Sequence, residues 1–334
     1  MKLSVNTKLS TYDIIIQKGI LNNLKDYLDI QGKVMIISDN GVPSIYLDTV
    51  KKQFNNAYTF VIKQGEKSKN FENYLKIQEK LLENNFSRYD YLIALGGGVV
   101  GDLTGFVAST FKRGIRYIQI PTTTLSQIDS SIGGKTAIDF NGYKNVIGTF
   151  YQPSLVLIDI NVLSTLSNRH FNNGLVEALK IGLTFDEELV SLFERGNIQD
   201  NLEEIITKAL VLKKRVVEQD EKENGLRKVL NFGHTIGHAI ESSYLGELFH
   251  GECVAKGMLY FINDNHLKAR VKNILNKLNI ETSYDLDLEK IQQFIYNDKK
   301  ADGSNVSTII VDKVGTYEIN ELPIKDILKK IREE

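Results

Sequence analysis

The chain has 334 residues, 42% hydrophobic and 25% charged, and its 41 Lys and Arg nearly balance its 42 Asp and Glu, for a net charge of −1. That size requires one large core or two medium ones, and the balanced charge gives no reason to expect nucleic acid or a membrane surface. No apolar run reaches the roughly 18–20 residues that span a bilayer, the opening MKLSVNTKLSTYD lacks a signal-peptide core, and the one cysteine, Cys253, excludes an internal disulfide; the expected location is the cytoplasm.

In chain order, KLSVNTKLSTYDIIIQKG reads as an edge hairpin. KVMIIS (33–38), AYTFVIK (57–63), DYLIAL (90–95), RYIQI (116–120) and SLVLIDI (154–160) are short apolar runs that suit strands covered on both faces. Helix-length segments separate them. In FENYLKIQEKLLENN, Phe71, Tyr74, Leu75, Leu81 and Leu82 are expected on one side and Lys and Glu on the other. Such alternation implies a parallel sheet with right-handed crossovers. Beyond about residue 160 the patterns are helical, except STIIVDKVGTYEIN, which keeps strand character about a Val-Gly turn. The expected fold is an α/β N-terminal domain (1–160) with a mostly parallel sheet and a dinucleotide site, followed by a mainly α-helical domain (161–334). Domains joined this tightly often share a ligand cleft.

ALGGGVVGD (94–102) lies between a predicted strand and a predicted helix, and Gly96, Gly98 and Gly101 satisfy G-x-G-x-x-G. Glycines there let backbone N–H groups approach a pyrophosphate at the helix N-terminus. The turn is not in the first βα unit, and no acid follows about 20 residues on to hold a ribose. Asp39, however, ends an earlier strand, and KQGEKSK (63–69) places Glu66 and Lys69 at another strand's C-terminal end. Ligands gather on that edge of a parallel sheet, which favours a dinucleotide over a turn serving only close packing.

The stretch 111–148 is dense in small, polar and basic residues, with Lys112, Arg113, Lys135 and Lys144 set among Gly, Ser, Thr and Asn. It is expected to be an exposed loop or the lining of a polar pocket, and GGKT, flexible backbone beside a phosphate-suited cation, favours the pocket.

NFGHTIGHAIE (231–241) carries His234 and His238 on one helix face. Thr235 stands where a zinc protease would have its general base, so a protease is not expected. A third histidine, His250, follows in FHGE, and GLVEALKIG puts Glu177 and Lys180 one turn apart in an apolar segment. A carboxylate and a lysine buried there need each other, a metal or a substrate. Glu with two His and an open position is a common catalytic zinc set, and the histidine cluster favours a metal.

Taken together, GGGVVGD, RGIRYIQIPTT, DSSIGGKT, KNVIG, GLVEALK, DEKENGLRKVLNFGHTIGHAIE, FHGE and DKK, in this order over about residues 33–312, resemble the 3-dehydroquinate synthase family of sugar-phosphate cyclases. That family is related in fold to glycerol dehydrogenase and iron-dependent alcohol dehydrogenases. The resemblance implies conversion of 3-deoxy-D-arabino-heptulosonate 7-phosphate into 3-dehydroquinate and phosphate, in the shikimate pathway to chorismate and aromatic amino acids. It implies transient oxidation by NAD, phosphate elimination, reduction, ring opening and aldol closure, with Zn2+ or Co2+ as the metal and a homodimer as the assembly.

By the same resemblance the NAD contacts fall on Asp39, Glu66, Lys69, Gly97, Gly98, Val99, Asp102, Thr122, Thr123, Lys135, Lys144 and Thr165, and the metal ligands on Glu177, His234 and His250. Lys135, Asn145, Arg113 and one of Lys299 or Lys300 match phosphate contacts, with Arg113 reaching in from a neighbouring subunit. Lys213, Arg227 and Asn231 match groups nearer the carboxylate and ring, while Asp129, Lys180 and His238 match polar residues that touch hydroxyls or tune proton transfer. The chain departs from the family at Thr124, Ser126 and Ile181, where Leu, Ala and Tyr are usual. A metal-dependent polyol dehydrogenase, which needs no paired anion sites, and another sugar-phosphate cyclase are the rival activities; a catalytically idle binding paralogue would not need all three metal positions.

Overall fold

The computed structural model describes residues 1–8, 10–244, 247–283, 287–299 and 305–333, with the side chains of 296–299 and 333 excluded. The chain divides into two compact units, Met1–Ser167 and Asn168–Glu334.

The first unit is built on a seven-stranded sheet. Its strands are β1 (Lys2–Asn6), β2 (Thr11–Ile16), β3 (Val34–Asp39), β4 (Ala57–Ile62), β5 (Tyr91–Gly96), β6 (Arg116–Pro121) and, after a hairpin β7 (Lys135–Phe140) and β8 (Tyr143–Phe150), β9 (Leu155–Ile158). Their order is β1-β2-β9-β6-β5-β3-β4, all parallel except β1, which pairs antiparallel with β2 at the edge. Helices α1 (Ser44–Lys51), α2 (Phe71–Glu83) and α3 (Gly98–Thr110) make the crossovers. Because side chains alternate across a strand, Met35, Ile37, Leu92 and Ala94 join α2 and α3 in one core, while Val34, Ile36, Ile93 and Leu95 join Val50 and Leu157 in the other. Both faces are covered, as near-continuous apolar strands require.

The winding sets the ligand edge. From β3 the chain moves outward to β4, then returns to the other side of β3 as β5 and continues through β6 towards β9. The direction reverses between β3 and β5, and open α/β sheets bind ligands at the carboxyl ends of strands at such a point. Ser38 is registered with Leu95 there, so Asp39 and Gly96 end neighbouring strands.

Two expectations change. In α2 the buried residues are Ile77 and Leu81, with Phe71 and Tyr74 packed partly against the core, whereas Leu75 and Leu82 are exposed. Each of those leucines lies one residue, about 100°, past an inward position. Residues 111–148 are largely ordered secondary structure rather than loop: β6, a π-helical turn (Ser126–Ser130), and the β7–β8 hairpin. Asn141 and Gly142 close that hairpin with φ of 50° and 82°, the left-handed pair that a two-residue I′ loop needs.

The second unit contains α4 (Asn168–Phe185), α5 (Glu187–Glu194), α6 (Ile198–Gln219), α7 (His234–Ser243), α8 (His250–Leu259), α9 (Asn265–Lys277), α10 (Leu288–Lys299) and α11 (Ile324–Glu333), with a small antiparallel hairpin of β10 (Asn305–Ile310) and β11 (Glu318–Pro323). From Asn173 to Thr184, α4 is buried all round. Any ionised group in that stretch must find a partner inside the protein. Among the described residues, no helix is long and apolar enough to cross a membrane.

Candidate active site

In the first unit the charged groups gather around Lys69, which follows β4. Its Nζ lies 2.6 Å from Glu66 Oε1, 3.2 Å from Asp102 Oδ2 and 3.9 Å from Asp139 Oδ1. Burial works against the ammonium, but the charges of Asp102 and Glu66 outweigh it and hold Lys69 above its ordinary value. Burial pushes the Asp102 carboxyl up to about 6, against the pull of Lys69. Asp102 belongs to the first turns of α3, whose N-cap, Gly97, has no side chain to occupy the leading N–H groups. A helix start of this kind presents donors and a partial positive charge to an anion. A Cβ on Gly97 would press on Thr123 Cγ2 at 3.2 Å, and one on Gly98 on Ser130 Oγ at 3.2 Å. The glycines therefore serve packing as well as access.

Of the other expected dinucleotide residues, Asp39 ends β3, and Thr122 and Thr123 directly follow β6, at the same edge of the sheet. Asp39 accepts a hydrogen bond from Gly41 N at 2.8 Å, and Thr122 N donates to Gly96 O at 2.9 Å. Thr123 is held by Ser126, whose Oγ lies 2.8 Å from Thr123 Oγ1 and accepts from Thr123 N at 3.1 Å. Ser126 thus clamps that threonine. Thr124 and Ile181 are fully buried. Thr165 Oγ1 lies 3.1 Å from Tyr46 Oη. Asp129 is half-buried on the π-helical turn, and Lys135, Lys144 and Asn145 are exposed on the β7–β8 hairpin. The Asp139 carboxylate accepts Asn145 N at 2.8 Å and so links that hairpin to Lys69. Arg113 is set apart. It follows the C-terminal end of α3 and precedes β6, at the opposite end of the parallel strands from the Gly96–Gly98 turn.

In the second unit Glu177 is the focus. Its carboxylate is fully buried on α4, with Oε2 2.5 Å from Lys180 Nζ and Oε1 3.4 Å from His250 Nε2 and 3.8 Å from His234 Nε2. Despite these close charges, neither oxygen accepts a well-aligned hydrogen bond. Burial alone would raise the Glu177 carboxyl, yet Lys180 and the two histidines hold it well below the usual carboxylate range. His234 is pushed well below its ordinary value, by burial first and then by Lys180. Burial also opposes a charged His250, but the Glu177 and Glu241 carboxylates, one beside each ring nitrogen, raise it to about 10.

The ligand atoms of Glu177, His234 and His250 lie within 4.8 Å of one another. One carboxylate and two imidazoles, with the carboxylate lacking hydrogen bonds, fit the donor set of a divalent metal with an open position. His238 does not join that set. Its exposed ring lies 5.0 Å from that of His234 and 5.8 Å from that of His250, centroid to centroid. Lys213 and Arg227 are buried, and Arg227 Nη1 donates to Glu221 O at 2.6 Å. Asn231 is exposed and donates to Glu223 at 2.6 Å. The Lys299 side chain and Lys300 lie outside the described residues. Asp139 and Glu241 were not among the expected residues. Glu241 had a visible signal, three positions after His238 on the same helix; Asp139 had none without the hairpin.

The family model for the N-terminal part of 3-dehydroquinate synthase matches residues 59–173, and that for the C-terminal part matches 174–301. The 3-dehydroquinate synthase of Streptococcus thermophilus is 40% identical over 99% of this chain and all of its own length. That of Campylobacter concisus is 40% identical over all of this chain and 99% of its own. Among solved structures, 2-epi-5-epi-valiolone synthase from Streptomyces hygroscopicus subsp. jinggangensis, with NAD+ and Zn2+ bound, superposes with a TM-score of 0.89 at 26% identity, covering 99% and 98% of the two chains. 2-Deoxy-scyllo-inosose synthase complexed with carbaglucose-6-phosphate, NAD+ and Co2+ gives 0.90 at 24% identity over the whole of both, a likeness of fold.

Proposed function

The chain belongs to the 3-dehydroquinate synthase family, and from that premise we propose that it converts 3-deoxy-D-arabino-heptulosonate 7-phosphate into 3-dehydroquinate and phosphate. The observation that carries the reading is the buried Glu177 carboxylate with His234 and His250 turned towards it. We assign NAD to the first unit and the metal to Glu177, His234 and His250 in the second. When bound, NAD supplies a hydride acceptor that returns what it takes, and zinc or cobalt supplies a Lewis acid that acidifies a substrate hydroxyl.

The chain's own residues then have defined tasks. Asp39 accepts hydrogen bonds from ribose hydroxyls, while the leading N–H groups of α3 and the Glu66–Lys69–Asp102 cluster orient and balance the pyrophosphate. Gly97, Gly98 and Val99 bring their backbone close, and Thr122, Thr123, Lys144 and Thr165 complete the contacts. Lys180 neutralises Glu177 in a stretch of α4 where neither charge is tolerable alone. Lys213, Arg227 and Asn231 hold the substrate carboxylate and ring, and Lys135 and Asn145 hold its phosphate. His238 and Asp129 face hydroxyls and move protons to and from them. Arg113, remote from the ligand edge of its own unit, serves the site of a second copy, which makes a homodimer the working form.

Roughly 40% identity to 3-dehydroquinate synthases, against 24–26% to the other cyclases, sets the substrate apart from theirs. A probable glycerol dehydrogenase from Sinorhizobium meliloti, at 16% identity and a TM-score of 0.65, shares the fold alone. The test incubates purified protein with the heptulosonate phosphate, NAD+ and Zn2+, and follows phosphate and 3-dehydroquinate together. Equal release of both with no lasting NADH is expected; NADH accumulating without phosphate would refute the proposal.

A further inference from the structure

His250 and His234 reach Glu177 through the same ring nitrogen, Nε2, and each is tied at the other nitrogen. His234 Nδ1 lies 3.1 Å from the Phe232 carbonyl oxygen, and His250 Nδ1 lies 3.1 Å from Glu241 Oε2. Both tethers are acceptors only, so each imidazole keeps a proton on Nδ1, which leaves Nε2, the nitrogen facing Glu177, as the one that would bind a metal. One histidine is thus set by main chain, the other by a carboxylate. Glu241 is on α7, seven residues after His234, while His250 opens α8.

The two helices approach closely enough for this bond because glycines line their contact. A Cβ on Gly237 would come within 3.1 Å of Cys253 O, and one on Gly257 would collide with Gly233 O. Asn173 of α4 accepts Gly251 N at 2.5 Å, which holds the start of α8 over the helix that bears Glu177. Glu241 itself is mostly buried, at 16% side-chain exposure, so its position is well defined.

We propose that Glu241 is a positioning residue that fixes the tautomer and ring orientation of His250 and strengthens its Nε2 as a metal ligand. Outer carboxylates of this kind commonly set metal affinity by about 10- to 100-fold. A competing arrangement exists in the same residues: His238, Glu241 and His250 also bring three donor atoms within 4.8 Å of one another and could hold a cation of their own. In that arrangement His250 would turn Nδ1 to the ion, and Glu241 would be a ligand rather than a tether. The bond from His250 Nδ1 to Glu241, with Nε2 already turned to Glu177, favours the tether.

The inference rests on the reading of Glu177, His234 and His250 as a metal centre, and the experiment separates the two. Zinc affinity and stoichiometry are measured by chelator competition on wild type, Glu241→Ala, Glu241→Gln and His238→Ala, with folding of each zinc-free protein checked by circular dichroism. The expected result is one zinc per wild-type chain, affinity lowered roughly 10- to 100-fold in Glu241→Ala, a smaller loss in Glu241→Gln, whose amide oxygen still accepts the Nδ1 proton, and wild-type affinity in His238→Ala. Should Glu241→Ala fail to fold, the Glu241→Gln and His238→Ala measurements decide. Unchanged affinity in folded Glu241→Ala or in Glu241→Gln, or a loss in His238→Ala as large as in the Glu241 variants, would overturn the positioning role alone. A wild-type chain that takes up no zinc would overturn the metal centre itself.

Discussion

Replacing Lys180 by Met tests whether the Glu177 carboxylate has two alternative sources of compensation. The ammonium and carboxylate lie 2.5 Å apart with side chains 2% and 0% exposed. Met fills most of the lysine's volume without its charge, which leaves the carboxylate buried with only the two histidines near it. Breaking one side of a buried pair costs about 3–5 kcal/mol. In a unit of this size each kcal/mol moves the melting temperature by about 2–4 °C, so the metal-free variant should melt roughly 6–20 °C below metal-free wild type. The sign with pH follows from the depressed Glu177 value. Its contribution is present above the ordinary carboxylate range and disappears as pH falls through the lowered value. In the variant Glu177 loses its nearest cation, so its pKa rises and protonation relieves the strain earlier. Zinc should relieve it too, because a divalent cation beside Glu177 replaces the lost charge. The assay is calorimetric melting of both proteins in chelator and in excess zinc. A difference below about 2 °C in chelator, or one that zinc leaves unchanged, would refute the reasoning.

Asp90→Ala should destabilise the first unit by about 2–4 kcal/mol, since it strands two backbone donors, Lys33 N and Ser87 N, that now bond the carboxylate at 2.7 and 2.6 Å. Burial opposes that carboxylate, but those bonds keep it below its ordinary 3.8, so the melting difference should be full at neutral pH and shrink as pH falls below that value; a pH-independent difference would contradict this. Gly257→Ala should push α7 from α8 and weaken zinc binding, as measured by chelator competition, because the new Cβ meets the Gly233 carbonyl oxygen. Unaltered affinity would mean that the helix spacing does not set the centre. His250→Ala should abolish stoichiometric zinc and nearly all turnover, and full zinc occupancy would remove it from the ligand set. Arg227→Ala should raise KM for the heptulosonate phosphate and leave NAD affinity alone; equal losses in both would count against its anion role.

The inner strands β3, β5, β6 and β9 of the first unit could be placed from sequence because residues covered on both faces must be apolar throughout, and runs such as DYLIAL leave little else possible. The demand that Glu177 and Lys180 find partners was equally legible, since an apolar helix cannot bury either charge alone. Leu75 and Leu82 were not, because hydrophobicity marks what a helix face tolerates and only packing decides which margin is covered. The β7–β8 hairpin was passed over although Asn141-Gly142 signals such a turn; β8 is exposed along nearly its whole length, and its apolar residues, Tyr143, Val146, Ile147 and Phe150, are not spaced in the alternation that marks a strand.

What the sequence by itself determined is the parallel α/β half, the helical half, and a pool of chemically suited residues: the glycine turn, the acids at strand ends and the three neighbouring histidines. Spacing along one helix pairs His234 with His238, and no pattern within that helix could say otherwise. Tertiary structure separated them. His250 comes from the start of the next helix and Glu177 from a third; packing brings these two and His234 within 4.8 Å of one another, and His238 falls instead in a group with Glu241 and His250. A donor set is a matter of a few ångströms among side chains far apart in the chain, and only packing supplies that precision.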